Sequence, residues 1–303
     1  MAFPTDRVLV TGARGFTGRH LCARLASLGA DVVGLVETDP GAHEIACDLR
    51  DPHAVAAAVK DAAPDRVVHL AGIASVEHGD AAALYRTNVL GTLALLDALA
   101  AQGRGRGGVV LASTARVYGE RESGALDETA TPAPTSHYAA SKLAMEHMAA
   151  QFRAALPIVV TRPFNYTGPG QREPYVVPKI VRHFAARAAA IELGNVDVVR
   201  DFQDVRVVVE AYVRLLTCPA AAGQAVNLCS GNGYAIGEIV GELERQTGHR
   251  MAIRVNPAFV RPNEPQRLVG SPARQVALIG PLPAIPLATT LADMLAAAIA
   301  AAR

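Results

Sequence analysis

The sequence predicts an α/β fold, in which a doubly wound parallel sheet of the Rossmann type is joined to a smaller carboxyl-terminal lobe. Short apolar runs alternate with helical segments through the first half of the chain, and a glycine-rich turn follows the first run directly. After residue 162, prolines and glycines cluster and this alternation is lost. We expect residues 1–163 and about 205–230 to form the sheet domain, and about 164–204 and 231–303 to form a ligand-binding lobe.

Each expected element has its own pattern in the chain. Runs rich in Val, Ile and Leu predict strands at Arg7–Thr11, Asp31–Val36, Arg66–Ala71, Gly108–Ala112, Ile158–Arg162, Ile191–Leu193 and Ala225–Leu228. Helical segments are expected near Phe16–Leu28, Asp51–Ala62, Ala81–Ala101, His137–Leu156, Val177–Ala190, Val205–Thr217, Ile236–Thr247 and Thr289–Ala302. Residues 163–170 are predicted to be a loop, and the lobe is predicted to lack a core of its own.

Charge and composition exclude several classes of partner. The chain has 303 residues, with 29 basic against 28 acidic ones, which argues against binding to nucleic acid or to an anionic membrane surface. No apolar run approaches the length of a membrane span, and the amino terminus lacks a signal-peptide pattern, so we expect a cytoplasmic protein. The four cysteines have neither metal-ligand spacing nor the spacing of a disulfide framework, and no metal site is expected.

The glycine-rich turn Thr11–Gly18 predicts a dinucleotide site, because it stands between a predicted strand and a predicted helix. Gly12 would permit a tight turn, Gly15 would let the backbone approach a pyrophosphate, and Gly18 would allow the helix to pack closely on the strand. The start of the helix would then present free N–H groups to the phosphates. The first domain is therefore expected to bind a dinucleotide cofactor.

Tyr138 and Lys142 are four residues apart on a predicted helix, so their side chains share a face. A phenol has an ordinary pKa of about 10, and an adjacent ammonium would lower that value. Thr114, with Ser113 as its possible substitute, follows a predicted strand and would face the same crevice. A hydroxyl, a phenol and an ammonium together predict proton transfer to or from an alcohol oxygen beside a nicotinamide.

These features, together with further motifs, resemble the extended short-chain dehydrogenase/reductase family that acts on nucleotide-activated sugars. The resemblance covers essentially the whole chain and is found in the motifs that start at Thr11, His69, Thr87, Val117, Tyr138 and Arg162. Within the family, the segments 162–171, 194–202, 226–231 and 261–264 are most similar to reductases of GDP-linked 4-keto-6-deoxy sugars. The resemblance implies hydride transfer from NAD(P)H to a sugar C4 keto group, with GDP-4-keto-6-deoxy-D-mannose giving GDP-D-rhamnose as the expected reaction.

The resemblance also assigns residues to each ligand. Cofactor contacts are expected from Gly12, Arg14, Gly15, Phe16, Gly18, Asp48, Leu49, Ala71, Gly72, Tyr138 and Lys142. Contacts with the sugar nucleotide are expected from Ser75, Asn165, Val177, Lys179, Arg200, Arg261 and Glu264. The arginines suit the diphosphate because guanidinium groups bind such oxygens in bidentate fashion, although a salt bridge from Arg200 to Asp201 or Asp204 is an alternative.

Several alternatives follow from the same residues. Glu37 after the second strand favours NAD(H), whereas Arg14 could meet a 2′-phosphate, and we favour NADP(H), which suits a biosynthetic reduction. The product could instead be the C4 epimer, GDP-6-deoxy-D-talose, or the chain could be a 4-epimerase that retains NAD. A dehydratase is rejected because Ala115 and Arg116 replace the required carboxylates. A silent binding protein on this fold is disfavoured by the intact catalytic residues.

The resemblance finally implies a homodimer. Members of the family pair through two helices into a four-helix bundle, and the helices concerned here are Ala81–Ala101 and His137–Leu156. Their alanines would allow close packing between the two copies.

Overall fold

The computed structural model describes residues 3, 6–74, 79–119, 124–260 and 265–301. Its strands are β1 Arg7–Thr11, β2 Asp31–Val36, β3 Glu44–Ala46, β4 Arg66–His69, β5 Gly108–Ala112, β6 Ile158–Pro163, β7 Asn165–Thr167, β8 Ala190–Leu193, β9 Val199–Asp204, β10 Ala225–Leu228, β11 Gly233–Ala235, β12 Ala252–Val255 and β13 Arg267–Leu268. Its helices are α1 Phe16–Ser27, α2 Pro52–Ala62, α3 Ala81–Tyr85, α4 Gly91–Ala101, α5 His137–Ala149, α6 Val176–Ala185, α7 Val205–Leu216, α8 Ile236–Thr247, α9 Ala273–Ile279 and α10 Leu287–Ala301.

The main sheet has seven parallel strands in the order β10-β6-β5-β4-β1-β2-β3. Successive strands lie to either side of β1 and β4, so helices cover both faces, and the predicted doubly wound sheet is confirmed. One hydrophobic core joins α1 and α7 to the sheet, and a second joins α2, α4 and α5 to the opposite face. This winding places the carboxyl ends of β1, β4 and β5 next to one another.

Local sequence signals fix where the helices that border this edge begin. Asp51 caps α2 by accepting hydrogen bonds from the backbone N–H groups of His53 and Ala54, and Pro52 occupies the first helical position. Ser136 caps α5 in the same way, with its hydroxyl accepting from the N–H of Ala139. The cap at Ser136 therefore sets Tyr138 in the first turn of α5.

The helix predicted over Ala81–Ala101 is interrupted by a wider turn. Residues Arg86–Leu90 form a π-helical segment between α3 and α4. Such a segment adds a residue to the turn and rotates the following side chains, and it is frequent at functional sites. Here it coincides with the buried residue Asn88.

The structure of the carboxyl-terminal lobe shows that two predictions were wrong. Residues 163–170, predicted to be a loop, contain β7, which pairs with β9 beside the strands β11 and β13. The lobe also has its own hydrophobic core, because α6, α8 and α10 pack their apolar faces together over β8 and β9. The sequence did not predict this core, because each short segment contributes only a few of its buried side chains.

Smaller differences concern the ends of elements. β4 ends at His69 rather than at Ala71, α5 ends at Ala149 and continues as a short 3₁₀ turn, and α6 ends at Ala185 rather than at Ala190. Across the residues that the structure describes, none of the helices combines the length and apolar character needed to cross a bilayer.

Candidate active site

The glycine turn after β1 is tightly packed against its neighbours. Gly12 has a φ of +68°, which suits glycine, and a Cβ there would lie 2.9 Å from the backbone nitrogen of Ala71. A Cβ on Gly18 would lie 2.1 Å from the carbonyl oxygen of Gly12. Gly15 immediately precedes α1 with extended backbone. The turn thus holds the positive end of α1 at the carboxyl edge of the sheet, which is the arrangement that binds a pyrophosphate.

A buried histidine connects this turn to the helix beyond it. Nδ1 of His69 lies 2.7 Å from the hydroxyl of Thr11, and its Nε2 lies 2.9 Å from the hydroxyl of Thr92. The Thr11 hydroxyl also accepts from the N–H of Ala71, and the Thr92 hydroxyl donates to the carbonyl of Asn88. These partners assign the Nε2–H tautomer to His69. Burial and the charge of Lys142 lower its pKa to about 3, so the ring stays neutral.

Asn88 carries the connection on to α5. Its amide accepts from the N–H of Ile73 at 2.8 Å and donates to the carbonyl of Ile73 and to the hydroxyl of Ser141, both at 3.1 Å. Ser141 donates in turn to the carbonyl of Tyr138. The π-helical turn therefore points an amide at both the β4 loop and the helix that carries Tyr138.

Tyr138 and Thr114 meet at the end of β5. Both side chains are buried, and the Thr114 hydroxyl lies close enough to the phenol to act on its pKa. Burial raises the pKa of Tyr138 to about 12, while the Thr114 hydroxyl and the charge of Arg116 oppose that rise. The expectation of a lowered phenol pKa is therefore not met in the protein alone, because desolvation of the phenolate outweighs the neighbouring charges.

Lys142 lies one turn along the same face of α5. Its ammonium donates to the carbonyl oxygen of Ala112 at 2.8 Å, and a Cβ on Gly72 would lie 3.4 Å from its Nζ. Burial lowers the pKa of Lys142 to about 8, against the charge of Glu146, which raises it. The structure thus brings Gly72, Lys142, Tyr138 and the Thr114 hydroxyl to one edge of the sheet.

Ser113 points elsewhere. Its hydroxyl donates to Glu146 at 2.5 Å, and the Glu146 carboxylate is also held by Arg162, with Nη2 at 2.6 Å from Oε2. The Ser113 hydroxyl is thus directed at Glu146, whereas the Thr114 hydroxyl lies beside Tyr138 and accepts from the N–H of Arg116.

The residues expected at the adenosine end of the cofactor form salt bridges at the rim of β2 and β3. Arg14 bonds to Glu44 and to the backbone carbonyls of Thr38 and Asp39. Asp48 accepts hydrogen bonds from the Arg50 guanidinium on both carboxylate oxygens. Elsewhere, Leu49 is buried beneath the first glycine of α4, and Phe16 stacks on Tyr166 with ring centroids 6.1 Å apart.

The residues expected to hold the sugar nucleotide are more dispersed. Asn165 lies in β7, and Arg200 is buried in β9 with Nη1 donating to the carbonyl of Val199. Val177 is buried in the core of the lobe, whereas Lys179 donates to the carbonyl of Glu192 and lies over the ring of Phe259. Ser75, Arg261 and Glu264 lie outside the described residues.

Sequence reasoning assigned no role to His69, Asn88, Glu146 or Arg162. The signal in the sequence was a polar residue within an otherwise apolar segment: His69 is the last residue of β4, and Arg162 is the next-to-last residue of β6. Buried polar groups require partners, so each of these residues indicates a hydrogen-bond network. The identity of those partners depends on the register of distant strands, which a local pattern does not contain.

Known proteins share this architecture along almost the whole chain. The model of the NAD dependent epimerase/dehydratase family matches residues 8–229. GDP-6-deoxy-D-talose 4-dehydrogenase from Aggregatibacter actinomycetemcomitans is 34% identical over 275 residues, covering 90% of this chain and 91% of that protein. GDP-6-deoxy-D-mannose reductase from Pseudomonas aeruginosa is 37% identical over 281 residues, covering 89% of this chain and 90% of that protein.

A solved structure gives the same result in three dimensions. RMD from Pseudomonas aeruginosa complexed with NADPH matches with a TM-score of 0.87 and 34% identity, over 98% of this chain and 99% of that one. The predicted family, fold and enzymatic class are confirmed. The chain belongs to the NAD-dependent epimerase/dehydratase family, the extended branch of the short-chain dehydrogenases/reductases, and is an NAD(P)-dependent enzyme that modifies nucleotide sugars.

Proposed function

We propose that this enzyme reduces the C4 keto group of a GDP-linked 4-keto-6-deoxy sugar, with GDP-4-keto-6-deoxy-D-mannose giving GDP-D-rhamnose. The observation that carries the proposal is that the buried Thr114 hydroxyl and the buried phenol of Tyr138 lie side by side at the end of β5, with Lys142 one turn along α5. The two relatives named for GDP-6-deoxy sugars support the base and the class of sugar. Those names describe C4 epimers, so GDP-6-deoxy-D-talose is the alternative product.

The protonation state of Tyr138 suits the donation of a proton to a carbonyl oxygen. With a pKa of about 12, the phenol of Tyr138 holds its proton at neutral pH and can donate it to the oxygen that becomes the alcohol. Thr114 would hydrogen-bond the same oxygen and orient it. A bound reduced nicotinamide would supply the hydride to carbon 4, so the carbonyl gains one hydride and one proton. An epimerase would instead first need this phenol to remove a proton.

The chain's own residues fit the cofactor that this reaction needs. Gly12 and Gly18 leave no room for side chains between the turn and α1, so the backbone of the turn can approach a pyrophosphate. Gly72 brings the backbone beside Lys142. We favour NADP(H) because Arg14 stands at the rim of β2, where a 2′-phosphate would be recognised. For the substrate, Arg200 and Asn165 are proposed to contact the diphosphate.

The test is to incubate the purified enzyme with GDP-4-keto-6-deoxy-D-mannose and either NADPH or NADH, and to identify the product sugar by NMR. We expect stoichiometric oxidation of NADPH and the manno configuration at C4. Protein that carries tightly bound NAD and consumes no added cofactor would instead identify an epimerase. A product with the talo configuration would support the proposed reductase activity but show that the hydride is delivered to the other face of carbon 4.

Two variants test whether Tyr138 is the proton donor. Tyr138→Phe removes only the hydroxyl, and we expect turnover to fall by roughly 10²- to 10⁴-fold while cofactor affinity stays within a few-fold of the parent. Tyr234→Phe, in β11, is the matched control for the loss of a phenol hydroxyl and should keep full turnover. Undiminished turnover of Tyr138→Phe would remove this residue from the mechanism.

We further propose a homodimer that pairs through the helical segment 81–101 and α5. Leu90, on the π-helical turn of that segment, is 55% exposed, and a large apolar side chain at this level of exposure suits an interface. Analytical ultracentrifugation should give twice the chain mass, and Leu90→Glu should shift the protein towards the monomer. A monomeric parent protein would refute this arrangement.

A further inference from the structure

The end of β5 meets α5 at three consecutive residues. The carbonyl of Ala112 accepts from Lys142, the hydroxyl of Ser113 donates to Glu146, and the hydroxyl of Thr114 lies beside the phenol of Tyr138. The three partners on α5 are spaced by four residues, so they form one stripe along the helix. Two of these three contacts involve groups of the proposed reaction, whereas the contact of Glu146 has been given no role.

Glu146 is held from the other side by Arg162. The guanidinium Nε lies 3.1 and 3.2 Å from the two carboxylate oxygens, and Nη2 lies 2.6 Å from Oε2. Both side chains are more than nine-tenths buried, with exposures of 8% for Arg162 and 9% for Glu146. Arg162 in turn bonds to the hydroxyl of Tyr118, which donates to Asn227 in β10. The carboxylate is therefore fixed between strands β5 and β6.

The position of the Glu146 carboxylate matters for the charge of Lys142, because few other charged groups among the described residues act on that ammonium. On α5, the titratable neighbours of Lys142 are Tyr138 and Glu146. The neutral ring of His69 faces it from β4. The nearby cations are Arg162, which pairs with Glu146, and Arg116, which acts on Tyr138. Burial of an ammonium favours its uncharged form, and Glu146 is the carboxylate that opposes this effect.

We propose that Glu146 is a positioning residue of the active site: it fixes the end of β5 through Ser113 and holds the ammonium charge of Lys142 through the field of its carboxylate. Arg162 keeps that carboxylate in place. The kinetic consequence rests on the function proposed above, but the charge of Lys142 is a property of the protein alone and can be measured without a substrate.

The composition of the chain allows a direct measurement. Its lysines are Lys60, Lys142 and Lys179, so protein labelled with ¹³C at the lysine ε-carbon should give a spectrum with few signals, and Lys142→Arg identifies the signal of Lys142. In the parent protein the Lys142 signal should titrate with a midpoint near 8, well below the ordinary lysine value of about 10.4. In Glu146→Gln its midpoint should fall by at least about one pH unit, because a neighbouring negative charge is lost.

Matched variants separate charge from structure. Ser113→Ala removes the hydrogen bond but keeps the carboxylate, so the Lys142 midpoint should stay and turnover should fall only a few-fold. Glu146→Asp keeps the negative charge, so the midpoint of the Lys142 titration should lie close to that of the parent protein. Because Glu146→Gln leaves Arg162 buried without its partner and could unfold the protein, Glu146→Gln combined with Arg162→Gln provides a neutral pair in which the midpoint should again fall.

The outcome is decided by the titration. An unchanged Lys142 midpoint in both variants that lack Glu146 would overturn the proposal. Where the enzyme reduces the 4-keto sugar, the alkaline limb of kcat/KM should move with the NMR midpoint, and a limb that stays fixed would also overturn it. If the parent protein shows no reduction at all, the proposed function fails, while the titration still tests the role of Glu146.

Discussion

Replacing Gly18 with alanine should damage cofactor binding far more than folding. The added Cβ would lie 2.1 Å from the carbonyl oxygen of Gly12 and 2.7 Å from that of Ala13, distances that folded proteins do not tolerate. Both atoms belong to the backbone, so relief requires the glycine turn to move by more than an ångström. That movement would carry the N–H groups of the turn out of hydrogen-bonding range of a phosphate.

The two effects differ in size. Forcing an extra carbon into a packed site costs about 1–3 kcal/mol, but alanine gains about 1 kcal/mol over glycine in a helix, so the net loss of unfolding free energy should be at most about 2 kcal/mol. Loss of two hydrogen bonds to a charged phosphate, at about 1.5–3 kcal/mol each, should weaken cofactor binding by at least about 100-fold.

The assay pairs a fluorescence titration with NADPH and NADH against urea unfolding of the same samples. Gly241→Ala, on the exposed face of α8, is the matched control, because a Cβ there meets no atom within 4 Å. It should gain up to about 1 kcal/mol of stability and bind cofactor as the parent does. Parental cofactor affinity in Gly18→Ala would refute the assigned role of the glycine turn.

Three further predictions concern buried or paired charges. His69 has a folded pKa of about 3, below its unfolded value of about 6.5, so the unfolded chain binds more protons and stability should fall as pH drops from about 6.5 towards 3; His69→Gln should flatten this part of a urea-unfolding pH series. Glu44→Gln should release Arg14 from its ion pair and raise the preference for NADPH over NADH by roughly tenfold in steady-state kinetics, and an unchanged ratio would exclude Arg14 from 2′-phosphate recognition. Asp204→Asn should lower the unfolding free energy by about 1–3 kcal/mol in urea titrations, because the buried Asp204 carboxylate accepts from Thr290 and from Arg206, which is partly exposed and keeps its bond to Asp293.

The sequence was sufficient to predict those elements and site residues that depend on patterns within a few neighbouring residues. β1, β2, β5 and β10 have the predicted bounds, because each is a short apolar run in the main parallel sheet, which helices cover on both faces. The glycine turn and the stripe of Tyr138 and Lys142 were also predictable, since both depend on spacing within a few residues.

The sequence was insufficient where partners come from far along the chain. β9 was missed because it reads Val-Arg-Asp-Phe-Gln-Asp, and this polar strand is stable only because Asp201 receives hydrogen bonds from Ser230, Gly231 and Gly270. The salt bridge between Arg14 and Glu44 likewise depends on β3 pairing with β2. No periodicity within a single segment contains such information.

The order of strands in the main sheet has a consequence for synthesis of the protein. β10 pairs with the free side of β6, yet 61 residues separate Pro163 from Ala225, and part of the lobe lies between them. A nascent chain therefore exposes the hydrogen-bonding edge of β6 until residue 228 has left the ribosome. Ribosome-bound chains that end before this residue should bind holdase chaperones more strongly than chains that extend past it.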